Sequence, residues 1–174
     1  MVAIEKLRST AELAASNRVV DRAWRAAYAG IVSDSALEHV SEMAAAPPTE
    51  RRLSAITAPT RSQAYLAVDD EAIVGSAWML WDPDRTKPFA GRNEAELRLL
   101  YVDPTRWGEG IGTQLLDACA ECLPADVERE ILETLVGNER GRRFYAGAGF
   151  REVGRSIYEV GDETYPTVVL ARDR

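Results

Sequence analysis

Tyr101-Val102-Asp103-Pro104-Thr105-Arg106-Trp107-Gly108-Glu109-Gly110-Ile111-Gly112-Thr113 is the stretch that decides the fold. An apolar, strand-like run from Leu97 to Val102 stops at Pro104, glycines follow at alternate positions (Gly108, Gly110, Gly112), and a helical pattern then begins. Strand, glycine turn and helix start together present a row of backbone N–H groups to an anion. With side chains absent at every second position, a polyanion can approach the main chain closely. The residues therefore point to a phosphate-bearing ligand on the N-terminus of the following helix. A P-loop needs Lys then Ser/Thr after its last glycine, and no Lys occurs here. A dinucleotide fold needs Gly-x-Gly-x-x-Gly near its first strand, whereas this run is Gly-x-Gly-x-Gly and lies past the middle of the chain.

Outward from this turn, periodicity and punctuation mark out a scaffold. Val2 to Leu7 alternates like an edge strand. Thr10 to Ala29 reads as one or two helical segments, with Leu13, Val20, Trp24 and Tyr28 roughly on a stripe and Gly30 as the stop. Ser33 caps a second helix reaching about Ala46, and Thr49 caps a short one ending before Pro59. Gln63 to Val68 and Ile73 to Trp81 form a hairpin around Asp69-Asp70-Glu71. A polar loop, Asp82 to Asn93, precedes the central strand Glu96 to Val102. The helix from Gly110 runs to Pro124, followed by a strand Glu130 to Val136 and a helix Glu139 to Ala148 with Gly149 in its C′ position. Arg151 to Glu159 and Thr167 to Ala171 are the closing strands.

The run from Val102-Asp103-Pro104 through Gly108-Glu109-Gly110-Ile111-Gly112 resembles the coenzyme-A-binding segment of the GNAT N-acetyltransferase superfamily, Val-x-Pro-x-x-(Gln/Arg)-Gly-x-Gly-(Ile/Leu)-(Gly/Ala). A second segment is similar to the same family: Asn138, Phe144, Tyr145, Gly149 and Phe150 fit Asn-x-x-Ala-x-x-Phe-Tyr-x-x-x-Gly-Phe, with Gly141 for the usual Ala. The resemblance covers roughly residues 64–170. It implies one α/β (α+β) domain over residues 1–174, with a mixed central sheet of about seven strands splayed in the middle and about four flanking helices.

The resemblance also implies roles. Acetyl-CoA is the co-substrate, and the acetyl group passes directly to a primary amine of a small molecule or peptide. Leu100, Tyr101 and Val102 would expose backbone groups to the pantetheine arm, and amides at Gly108, Gly110, Ile111, Gly112 and Thr113 would hold the pyrophosphate, flanked by Arg106 and Trp107. A free primary amine titrates near Lys, about 10, so a base is useful. Glu96 holds the position where some members keep a glutamate, with Glu94 a close competitor; pairing with Arg98 is the alternative for Glu96. Tyr145 matches the tyrosine that protonates the departing thiolate. Asn138 caps the last helix on sequence grounds alone, and the resemblance adds a bond to the pantetheine or the splayed strand. Arg140, Arg142 and Arg143 lie near the path of the coenzyme, with Arg143 the choice for a phosphate contact. Trp24, Tyr28 and Trp78 are core aromatics or walls of the acceptor pocket. Two residues depart from the pattern: Trp107 stands for Gln/Arg, and Glu109 for a residue often basic. At an exposed, salt-screened site the Glu109 carboxylate costs phosphate binding about 1 kcal/mol or less.

Composition narrows the classes. A net charge of −7 argues against nucleic acid and against an anionic membrane surface as partner. Met1 to Arg8 lacks a secretory apolar region, so the cytoplasm is the expected compartment. Cys119 and Cys122 share an apolar helix face, and His39 is the only histidine, so buried thiols rather than a metal site are expected. The state is monomer or homodimer. Two competing readings are a catalytically silent acyl-CoA sensor and an NAD(P) oxidoreductase built on the glycine turn, which leaves Asn138 to Phe150 without a reason.

Overall fold

A computed structural model describes residues 1–58 and 60–174. Pro59, the expected stop of the third helix, lies outside the described residues. The strands are β1 (Ala3–Lys6), β2 (Ser62–Asp69), β3 (Ala72–Leu80), β4 (Glu94–Val102), β5 (Arg129–Leu135), β6 (Arg151–Val160) and β7 (Glu163–Asp173). The helices are α1 (Thr10–Tyr28), α2 (Asp34–Ala45), α3 (Glu50–Thr57), α4 (Ile111–Glu121) and α5 (Glu139–Gly147). These five helices, among the described residues, are one more than the family resemblance implies; the extra is the short α3 capped by Thr49. β7 begins at Glu163 rather than Thr167, because Gly161 at φ +59° turns the chain at once into a hairpin with β6.

Local chemistry sets the helix starts. Ser9 Oγ accepts from the Glu12 N–H at 3.2 Å while the Glu12 carboxylate accepts from the Ser9 N–H at 3.0 Å, a reciprocal cap that opens α1. Ser33 accepts from the Ala36 N–H at 3.0 Å in the same way for α2. At the C-terminal end of α4, Arg174 donates to the Ala120 carbonyl at 3.3 Å, in the last turn of the helix, and to the loop carbonyls of Pro124 and Val127 just past it.

The sheet order is β1-β2-β3-β4-β5-β7-β6, antiparallel except for β4 and β5. α4 lays Ile111, Leu115, Leu116 and Cys119 against Ala77, Met79, Ala95 and Leu97. Each large side chain so buried contributes about 1.5–3 kcal/mol. On the opposite face α1 buries Trp24 and Tyr28. Two irregularities in β4 shape the site. Opposite Trp78 and Met79 the register jumps from Leu99 to Leu97, leaving Arg98 as an extra, bulged residue that bends the strand. β4 then pairs with β5 only at Glu94↔Arg129, Ala95↔Glu130 and Glu96↔Ile131. Beyond these three pairs the strands part, although β3 holds the far edge of β4 as far as Val102 and β7 holds β5 as far as Leu135. The facing edges are thus left with main-chain donors and acceptors that need partners.

Candidate active site

The V-shaped parting of β4 and β5 opens into a cleft of about 690 Å³. Leu100, Tyr101, Val102, Arg106, Trp107, Gly108, Gly110, Ile111, Gly112, Thr113, Asn138, Arg143, Tyr28 and Tyr145 all line it, from segments far apart in the chain. Glu96 and Trp24 do not. The charged residues of the wall are Arg98, Arg106, Arg140, Arg143 and Glu133, a basic lining in a chain of net charge −7. That local excess of positive charge suits a polyanion.

At the outer end, Gly110 is the N-cap of α4 at φ +79°, ψ 4°, with no side-chain cap. Gly108 has φ +89°. A Cβ at either glycine would meet nothing within 4 Å, so it is the left-handed backbone and not crowding that calls for glycine. The first N–H groups of α4 are consequently left for an anion. Asp103 steadies the approach, accepting from the Thr105 N–H at 3.0 Å and from Arg22 at 2.8 Å. Arg106 lies between Glu109 at 2.8 Å and Asp69 at 3.0 Å, so the carboxylate of Glu109 is answered within the loop itself. Trp107 turns inward: its Nε1 donates to the Val102 carbonyl at 2.9 Å, and Arg140 sits 4.5 Å from its ring centre.

Asn138 has every polar atom engaged. Its Oδ1 caps α5 through the Gly141 N–H at 3.0 Å, and its Nδ2 donates to Thr134 at 3.0 Å and Tyr28 at 3.2 Å. One side chain thereby ties α5, β5 and α1 together along the cleft. Trp24 donates through Nε1 to the Tyr101 hydroxyl at 2.8 Å and is core. Trp78 donates to Ser62, away from the cleft. Arg142 holds the Val136 carbonyl, while Arg143 is an exposed side chain at the mouth, paired with Glu139.

Titratable groups stand on and beside the cleft wall. The Tyr145 ring is wedged edge-on between Phe144 and Phe150, at 5.1 and 5.6 Å. Its hydroxyl has no hydrogen-bond partner among the described residues. Burial pushes its phenol well above the usual tyrosine range, and the neighbouring Tyr28 and Cys119 add to this, so the group stays protonated through neutral pH. Glu96 is 2% exposed and fully engaged: Arg98 donates to both oxygens at 2.6 and 2.8 Å, and the Lys87 backbone N–H donates at 2.8 Å. The carboxylate that does border the cleft is Glu133, which accepts from Thr167 at 2.9 Å and pairs with the Lys87 ammonium. Sequence reasoning missed it. A charge within Ile131-Leu132-Glu133-Thr134-Leu135, an otherwise apolar central strand, is the signal that could have found it. Glu94 belongs elsewhere, paired with Arg129 at 3.1 Å. Both cysteines are free, Cys119 buried and Cys122 partly so.

Residues 29–150 match the family model described as Acetyltransferase (GNAT) family. Among curated proteins no sequence match reaches significance. Solved structures match over essentially the whole chain. The PaiA N-acetyltransferase from Thermoplasma acidophilum, in complex with coenzyme A, is 19% identical, with 100% of this chain and 99% of that one covered and a TM-score of 0.72. The ribosomal-protein-S18-alanine N-acetyltransferase from Escherichia coli is 20% identical, with 99% and 94% covered and a TM-score of 0.67. An acetyltransferase of the GNAT family from Staphylococcus aureus Mu50 is 15% identical, with 99% and 99% covered and a TM-score of 0.68. At such identities the likeness establishes the fold. No helix among the described residues is long and apolar enough to cross a membrane.

Proposed function

Because the chain belongs to the acetyltransferase (GNAT) family, we propose that it transfers an acetyl group from acetyl-CoA directly to a primary amine. The observation that carries this reading is the parting of β4 from β5 after three residue pairs, with uncapped helix amides, a phenol and a carboxylate all on the wall of the cleft so formed. The diphosphate sits on the amides of Gly108 to Thr113. The pantetheine arm runs between the strands and pairs with the open edge at Leu100 and Tyr101; the Val102 carbonyl already accepts from Trp107. Main-chain N–H groups near the Arg98 bulge polarise the thioester carbonyl.

Glu133, rather than Glu96, takes the proton of the incoming ammonium, because it is the carboxylate on the cleft wall. Glu96 holds Arg98 and the loop at Lys87. Tyr145 then protonates the leaving thiolate; its unpartnered hydroxyl and raised pKa keep the acid loaded at neutral pH. In support, the family's solved relative from Thermoplasma acidophilum is described as a coenzyme A complex. The test is release of free thiol from acetyl-CoA across a panel of polyamines, amino acids, aminoglycoside-like amines and peptides. Acceptor-dependent release with a matching acetylated product is expected. Coenzyme binding with no turnover on any amine would replace this reading with a silent sensor.

A further inference from the structure

The chain has 21 Lys and Arg residues, and only Lys6 and Lys87 are lysines. Lys6 is exposed on the edge strand β1. Lys87 lies instead in the loop between β3 and β4, with its ammonium on Glu133 and 4.4 Å from the Tyr158 ring centre. This is not a wandering surface lysine. Its backbone N–H is held by Glu96 at 2.8 Å, the preceding Arg85 carbonyl accepts from Arg98 at 2.8 Å, and Phe89 and Ala90 just beyond it pack on Ile131, Val169 and Ala171. Its side chain is 30% exposed. The last β4–β5 pair is Glu96↔Ile131, so Glu133 stands two residues into the V, opposite the bulged Arg98. Lys87 is not itself part of the cleft wall; its ammonium is stationed on Glu133, the one carboxylate that lines the cleft among the described residues. Arginine would make the same ion pair but is no nucleophile at any working pH.

We propose that Lys87 is a self-acetylation site, its side chain swinging past Glu133 to take the acetyl group in cis from coenzyme bound in the cleft that Glu133 lines, when no outside amine competes for Glu133. The inference rests on the acetyltransferase reading and goes beyond it by naming an acceptor. In the step, the Lys87 ammonium gives one proton to the Glu133 carboxylate and so to solvent. The freed nitrogen bonds to the thioester carbonyl carbon, and the carbon–sulfur bond breaks. The second nitrogen proton is lost as the amide forms, and the thiolate leaves as coenzyme thiol with a proton from Tyr145, which recovers one from solvent. Holding the amine on the catalytic carboxylate supplies the high effective concentration of an intramolecular reaction.

The test incubates the full chain with acetyl-CoA and no amine, followed by intact mass and peptide mapping, with coenzyme binding measured in parallel by calorimetry. One acetyl group on Lys87 is expected, at a rate constant independent of protein concentration over a hundredfold range. Lys6 is the built-in measure of uncatalysed chemistry and should stay unmodified. Lys87→Arg should abolish labelling, and Glu133→Gln should slow it by about a hundredfold or more. Coenzyme that binds without acetylating Lys87 overturns this inference alone, as does equal labelling of Lys6 and Lys87 or a rate that rises with protein concentration. Coenzyme that does not bind overturns the acetyltransferase reading beneath it.

Discussion

Replacing Tyr145 by Phe removes a single oxygen, and the structure separates what that oxygen does for the fold from what it does for the reaction. The ring's contacts with Phe144 and Phe150 survive the change. The hydroxyl has no hydrogen-bond partner among the described residues, so no buried group is orphaned by its loss. Stability of the apo protein should therefore move by no more than about 0.5 kcal/mol. Coenzyme affinity should hold as well, because the proposed phosphate contacts are the main-chain amides of Gly108 to Thr113, on residues other than Tyr145. Turnover is a different matter. Loss of a positioned general acid costs about 10²–10⁴-fold, or roughly 2.7–5.4 kcal/mol at 1.36 kcal/mol per decade. The assay is thiol release under saturating acetyl-CoA, with urea unfolding and calorimetric coenzyme binding on the same preparation. The parent should show no alkaline loss of rate from this acid until above the ordinary tyrosine range, about pH 10, because burial raises the Tyr145 pKa. A Tyr145→Phe enzyme as fast as the parent at every pH refutes the assignment, and one that is slow only because it is unfolded refutes the structural argument.

Three further outcomes are expected. Tyr28, Tyr101, Tyr145 and Tyr158 all have their pKa raised, burial being the largest cause in each. The folded chain then keeps protons that the unfolded chain releases near pH 10, so this contribution is complete below that value and is lost as pH climbs through it; urea midpoints that stay flat or rise there would contradict it. Gly110→Ala forces a Cβ into φ +79° with free space around it, so the cost is backbone strain alone. Urea unfolding should register a loss of about 1–2 kcal/mol, accompanied by weaker coenzyme binding, and unchanged stability would mean that the left-handed cap is not required. Arg106→Ala leaves Glu109 uncompensated at the proposed phosphate end, while Asp69 keeps the N-terminal ammonium of Met1, so the calorimetric Kd for coenzyme A should rise by up to about tenfold, more at low salt; a Kd that falls would place Arg106 outside the site.

What the sequence made legible is what is encoded locally. Glycines at alternate positions, Ser9, Ser33 and Thr49 as caps, and the Asp69-Asp70-Glu71 turn each act within a few residues, and the elements they delimit appear within one to four residues of their expected ends. The parting of β4 from β5 is not local: it depends on β3 and β7 holding the outer edges, and only the family resemblance implied it beforehand. Partner choice was hidden for the same reason. Arg106 meets Asp69 from 37 positions away, and Trp107 spends its N–H on Val102. Glu96 and Glu133 are both acidic residues in apolar strands; Arg98, two residues from Glu96, was legible as its partner, whereas nothing in the flanks of Glu133 tells that it borders the cleft. Lys87 sat in what read as an ordinary polar loop, because the Glu96 carboxylate that pins its backbone comes from the next strand.

In the proposed reaction, main-chain amides between Gly108 and Thr113 hold the diphosphate of a thioester carrier whose arm threads the gap between β4 and β5. A crystal structure with acetyl-CoA tests it most directly. Phosphate oxygens should lie within hydrogen-bonding distance of those amides, the arm should pair with the edge at Leu100 and Tyr101, and the sulfur should face the Tyr145 hydroxyl. Coenzyme seated elsewhere, or entering so that its sulfur lies away from Tyr145, would contradict it.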